Sequence, residues 1–167
     1  MRIAAILIIL STGWILVQGR SRQQQHSFSK AAFYSVMASG SADSVTYQLR
    51  VLKDAVIAGK EAYEGALLMK KAGLIPNARN KLNLFKEGRR KLEASLGRDT
   101  TNTELRFLRL MIQENAPGVV HYNKELDRDS KFIIKHFGGL PQAVQKVVIN
   151  YSKRSKVLSA ALLERYI

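Results

Sequence analysis

An all-α fold, an antiparallel stack of about six to eight helices arranged as hairpins, is what this chain predicts, on three observations. Apolar residues recur three and four apart over most of the 167 residues once the first thirty or so are passed. Only 3 prolines interrupt them, and 46% of the chain is hydrophobic, enough to build one core. Short Gly-, Pro- and Asn-containing breaks divide the pattern into segments of roughly 10–20 residues, and short connections between helices make antiparallel neighbours.

At the N-terminus, Arg2, the apolar run Ile3–Leu10 with its extension Trp14–Val17, and the exit Val17-Gln18-Gly19 have the layout of a secretory signal peptide over residues 1–19. The run is short for a membrane span, which needs roughly 20 residues. Arg20 and Arg22 keep a rival open, an uncleaved anchor, because positive charge there opposes translocation of the downstream chain. Residues 20–29 lack periodicity and read as a flexible leader, so the helical domain is placed at 30–167.

Within the domain, a first helix is expected from Ser29 to Ala38, with Gly40 after it. Asp43 or Ser44 is the expected cap of a second, whose apolar positions are Val45, Leu49, Leu52 and Val56. A stripe of mostly small residues (Ala55, Ala58, Ala62, Gly65, Ala66, Met69, Gly73) lies on one face of the next segment. Glycine costs about 1 kcal/mol against alanine in a helix, so the stripe implies close approach by a neighbouring backbone, with Gly73 and Pro76 as the stop. A strongly amphipathic helix over 79–97 turns Leu82, Phe85, Gly88, Leu92, Ser95 and Leu96 inward, and Gly97 closes it. Thr101 and Glu104 have capping-box spacing before a helix over 103–115 that is apolar nearly all round, broken only by Arg106, Arg109 and Gln113 in a single polar stripe. A helix over 122–137 carries Tyr122, Leu126, Ile133 and Phe137. Pro141 is expected in the first turn of a last region with Val144, Val147, Val148 and Tyr151. Whether 152–156 breaks that region is open.

The stretch Phe85–Asn102 resembles the second helix and exit turn of a tetratricopeptide repeat: Gly88 and Ser95 stand at small packing positions, Leu92 at a large one, and Asp99 and Asn102 at the turn, although Thr100 replaces the usual proline. The Tyr63–Gly73 helix resembles the first helix of such a repeat, with a longer loop after it. The resemblance covers one repeat of about 40 residues and implies a helical hairpin, where the repeat architecture stacks at least three. The whole chain is also similar to small exported helical proteins of bacteria with the runs Tyr63–Ala72 and Arg106–Pro117. That likeness implies export and carries no activity with it.

Lys and Arg number 27 against 13 acidic residues, a formal +14. Removing 1–19 would take away one basic residue, Arg2, so the positive charge belongs to the domain. It favours anionic partners. The absence of cysteine excludes disulfides, thiolate metal sites and a cysteine nucleophile. His26, His121 and His136 lack ligand neighbours three or four away, so no metal, cofactor or catalytic residue is assigned. The nearest constellation is Arg106, Arg109, Gln113, Glu114 and His121. Two arginines one turn apart can grip a carboxylate or phosphate; internal pairing with acids of a neighbouring helix is the preferred expectation. Arg79, Lys86, Arg89 and Arg90 make a basic face without interleaved stacking aromatics, which argues against single-stranded nucleic acid. The functional expectation is a non-enzymatic interaction or scaffold module of the cell envelope, exported to the periplasm or beyond, with another protein as partner. The alternative is a basic binder of an anionic envelope component such as lipid head groups or polysaccharide. A hydrolase or lyase using Glu114 or His121 is a more remote third.

Overall fold

The computed structural model describes residues 27–166. The expected signal peptide, most of the leader and His26 lie outside the described residues. Among those described there are eight α-helices and no strand: α1 (Lys30–Ser39), α2 (Ala42–Asp54), α3 (Lys60–Leu74), α4 (Ala78–Arg98), α5 (Thr103–Asn115), α6 (Leu126–His136), α7 (Gln142–Ser152) and α8 (Ala160–Leu163). Consecutive helices from α1 to α6 pack on one another, α5 also meets α3, and α7 returns to α1 and meets α8. No helix among the described residues is long and apolar enough to cross a membrane.

The most intimate pair is α3 with α4. Three residues join them, and Glu61 faces Arg98 while Glu64 faces Lys91, so the helices run antiparallel. A Cβ built on Gly65 would lie 2.5 Å from the Gly88 carbonyl oxygen, and one on Gly88 would lie 2.5 Å from that of Gly65. The two glycines bring backbone against backbone, which is the close approach the small-residue stripe implied. The stripe itself is shorter than its sequence spacing suggests: Ala55 and Ala58 precede α3, and Gly73 has open space around it. Chain reversal there depends on Pro76, which cannot continue a helix.

α5 is the central element. Leu105, Phe107, Leu108, Leu110, Met111 and Ile112 are all buried, and α3, α4 and α6 pack around it. The Phe33, Tyr34, Tyr63 and Phe107 rings stack in tilted and edge-on pairs at its α1 end.

Several boundaries correct the sequence-based expectations. Phe28 packs on Phe33 and Tyr63, and the Ser29 side chain accepts from the Ala32 N–H, so the last leader residues belong to the domain. Ser41, one turn before Ser44, caps α2, and Val56 lies beyond that helix, fully exposed. Asn102 caps α5 by accepting from the Leu105 N–H, so Thr101 is not the cap and Glu104 is free to turn inward. Leu82 is 46% exposed rather than on the inner face. Tyr122 precedes α6, in a connection that holds the 3-10 turn Gly118–Val120. Pro141 stands before α7 as its cap, and a break after Ser152 separates α7 from α8.

Candidate functional site

The polar stripe of α5 is engaged inside the protein. Asp129 of α6 is fully buried, and both its oxygens receive Arg109: Nε donates to Oδ2 at 2.6 Å and Nη2 to Oδ1 at 2.8 Å. Arg106 Nη1 donates to the same Oδ1 at 2.8 Å, while its Nε and Nη2 donate to the Thr100 carbonyl at 3.0 and 2.6 Å. Arg109 Nη1 also reaches Glu93 of α4 at 2.9 Å, and the Tyr122 hydroxyl donates to the other Glu93 oxygen. One carboxylate on α6 and one on α4 thus hold two arginines of the central helix. Burial pulls the Arg109 guanidinium down, but hydrogen bonds from it to Asp129, and the charge of Asp129 and Glu93, outweigh this and leave it raised. It stays charged throughout.

Glu114, adjacent in sequence, serves a different junction. It accepts from the Tyr151 hydroxyl at 2.8 Å, from Ser155 Oγ at 2.9 Å and from the Lys156 N–H, tying the end of α5 to the turn after α7. Glu104, with Asp129 one of two buried carboxylates among the described residues, accepts from Tyr63 at 2.7 Å, Tyr34 at 3.0 Å and Lys30 at 2.6 Å. Burial first, then the neighbouring carboxylate, pushes the hydroxyls of Tyr34, Tyr63, Tyr122 and Tyr151 well above the ordinary tyrosine range. They remain neutral donors.

His121 is the one non-glycine residue among those described with positive φ, 45°. It rims a cleft of about 180 Å³ together with Arg89, Glu93, Gln113, Lys124 and Glu125. Of the five residues grouped from sequence, Gln113 and His121 meet at this opening and Gln113 and Glu114 at a neighbouring cleft of about 230 Å³, whereas Arg106 and Arg109 are held in the helix junction. His136 lies exposed and stacks on Phe132 at 4.0 Å. Arg79, Lys86, Arg89 and Arg90 are all exposed along α4, and Arg89 also lies 4.7 Å from the Tyr122 ring centre. No group of three or more metal-ligand side chains gathers among the described residues.

The residues that organise this region and escape a reading of the sequence are Asp129, Glu93 and Tyr122. A signal for Asp129 exists: it falls between Leu126 and Ile133 on the buried face of α6, where a carboxylate must have a partner. Compared with protein-family models, with curated proteins and with solved structures, the chain finds no match.

Proposed function

We propose that this is a non-enzymatic interaction or scaffold module of the cell envelope, exported by its first nineteen residues and acting through the outer surface of the α3–α4 hairpin. The observation that carries this reading is the division of charge. The arginines of α5 are consumed in joining helices, whereas Arg79, Lys86, Arg89 and Arg90 stand exposed along the longest helix and form no ion pair among the described residues. Such a face suits an acidic surface on a partner protein. The tetratricopeptide-like label is part of the same proposal and rests on the paired α3–α4 hairpin and its packing glycines.

The test is affinity capture from envelope extracts with the protein and with its Arg79→Glu, Lys86→Glu, Arg90→Glu variant, at low and high salt. A discrete partner lost in the variant, yet held by the parent at high salt, supports the module. Capture unaltered by the triple change would refute this face.

The surplus of basic residues favours a second reading, binding to an anionic envelope component. Attraction of that kind weakens steeply with ionic strength, so co-sedimentation with phosphatidylglycerol vesicles or acidic polysaccharide that vanishes at high salt would favour it. Export has its own check. The mature protein should begin near Arg20, and an intact mass that retains Met1 in the membrane fraction would favour the uncleaved anchor instead.

A further inference from the structure

The α3–α4 hairpin ends in apolar side chains that the core does not take up. Leu74 is 40% exposed and Leu82 46%, and Ile75, between the two helices, is half-buried. The core reaches Ala72 on one helix and Leu84 on the other and includes none of these three. Across the pair Met69 meets Gly88, so Leu74, five residues on, and Leu82, six residues back, stand at nearly the same level. A Cβ on Gly73 would meet nothing within 4 Å, and every residue from 73 to 83 except Ile75 is exposed. The other large apolar side chains exposed among the described residues, Tyr47, Val56, Val119 and Leu162, fall on four separate segments.

The same end is positively charged. Between Glu64 and Glu87 the sequence holds no acid, and Lys71, Arg79 and Lys81 form no ion pair among the described residues. Lys71 has a local reason for its place, since a cation in the last turn of α3 complements the helix dipole. Arg79 and Lys81 have the opposite relation. They stand in the first turn of α4, which contains no acid, and there the dipole repels positive charge. Helix stability argues against these two cations, and burial of apolar surface argues against leaving Leu74 and Leu82 in water. A surface that is anionic outside and apolar beneath relieves both. Acidic lipid head groups attract the cations, and leucines enter the acyl boundary under them. A polysaccharide would use the charges and leave the leucines in water. A protein would have to enclose an end that is exposed nearly throughout, whereas lipid closes around it.

We propose that the end of the α3–α4 hairpin docks on an anionic lipid surface, with Leu74, Ile75 and Leu82 entering the head-group layer and Lys71, Arg79 and Lys81 at its phosphates. This docking rests on the second reading above, an anionic envelope component, and narrows it to lipid held by a defined part of the chain.

The chain has no cysteine, so Leu82→Cys gives the full-length protein one attachment point for an environment-sensitive dye. Val56→Cys, at a fully exposed position beyond the other end of α3, is the reference. With phosphatidylglycerol vesicles the dye at 82 should brighten and shift to the blue. With phosphatidylcholine vesicles it should change little, and the dye at 56 should stay in water with both. Co-sedimentation is read as the excess on phosphatidylglycerol over phosphatidylcholine, because the apolar residues 3–17 are common to every variant. Leu74→Ser with Leu82→Ser should weaken that binding about tenfold through lost apolar burial, and Arg79→Glu with Lys81→Glu by at least as much. The second pair should also raise the melting temperature, since acids suit the first turn of a helix; weaker binding by a more stable protein excludes unfolding as its cause. A dye at 82 that stays in water with anionic vesicles, an equal shift at 56, or parental vesicle binding by the leucine pair would each overturn the assignment. So would variants of this end that lose a captured protein and keep the vesicles. If the dye at 82 fails while the parent still sediments at low salt with anionic vesicles or acidic polysaccharide, the anionic-component reading stands without this docking; if the parent binds neither, both fall.

Discussion

The α3–α4 and α5–α6 pairs lie side by side in one core and are joined by opposite means. Between α3 and α4 the decisive positions have no side chain at all: Gly65 and Gly88 let two backbones touch, with Met69 and Leu92 beside them and the ion pairs Glu61–Arg98 and Glu64–Lys91 at the edge. Between α5 and α6 the decisive groups are fully charged, two arginines on one buried aspartate. The first junction is tolerant of which apolar residues fill it and intolerant of volume. The second is tolerant of little, because each charge removed from water depends on its partner. This difference gives the pairs separate signatures under mutation.

The largest effect is expected at Asp129. Asp129→Asn leaves Arg109 with Glu93 alone and Arg106 with the Thr100 carbonyl, so stability should fall by about 3–5 kcal/mol. Arg109→Met should cost more than Arg106→Met, since the Arg109 side chain is 6% exposed against 12% and bonds Asp129 through two nitrogens. Urea unfolding of the three variants gives the ranking. Equal, small losses would mean that water enters the junction and the charges are not truly paired.

Volume is the corresponding probe of the other pair. Gly65→Ala or Gly88→Ala places a Cβ against a carbonyl of the facing helix and should cost about 1–3 kcal/mol. Gly73→Ala, on the same helix as Gly65 but with no atom near the new methyl group, should instead gain up to about 1 kcal/mol from helix propensity. Thermal melts of the three proteins would break the comparison if Gly65→Ala and Gly73→Ala moved in the same direction.

The two junctions are unequally legible in the sequence. Glycine in a helix interior is conspicuous, so the α3–α4 contact can be read from the residues themselves, although Gly73 and Gly97 carry the same mark without the same role: both lie within helices, with open space around them. The stripe Arg106–Arg109–Gln113 is equally visible on an apolar helix, but its acids are not. Glu125, Asp127 and Asp129 crowd the start of α6; the face shared with Leu126 and Ile133 turns Asp129 inward while Asp127 pairs at the surface with Lys131, but only the docking of that helix on α5 decides that Asp129 meets Arg106 and Arg109. The clefts are illegible for a related reason. The spacing of Tyr122 with Leu126 suggests one continuous helix, whereas the chain turns through His121 and opens the space beside Gln113.

Alkaline stability separates the carboxylate–tyrosine contacts from both junctions. Tyr34, Tyr63, Tyr122 and Tyr151 all have folded pKa values raised above an unfolded value near 10. A raised group contributes stability that is whole below the unfolded pKa and is lost as pH rises toward the folded one. The tyrosines' share of stability should therefore be constant below pH ~10 and fall above it, by about 1.4 kcal/mol per pH unit for each tyrosine that ionises only on unfolding. Tyr63→Phe should make the decline shallower by one tyrosine's share, as chemical denaturation between about pH 9 and 11 would show. An unchanged slope would place that hydroxyl in contact with solvent.

The smallest effect expected is a gain, at Gln48. The charges between α5 and α6 are tolerated because each one is bonded, so a buried polar atom without a bond should show the opposite sign on mutation. Gln48 of α2 is 6% exposed, and its Oε1 has no partner among the described residues. Removing such a group and filling its space with a carbon chain recovers a desolvation penalty of about 1–3 kcal/mol, reduced by whatever strain the new shape brings. Gln48→Met keeps the length and the helix propensity of glutamine, so the net gain should be about 1 kcal/mol. It should be independent of Asp129→Asn, because α2 packs on α1 and α3 rather than on α6. Additive free energies in the double variant would show that the orphan on α2 and the ion pairs on α5 belong to separate parts of the core. A loss of stability in Gln48→Met would mean that this amide has a bonding partner after all, and that satisfied polar groups extend to the α2 side of the molecule as well.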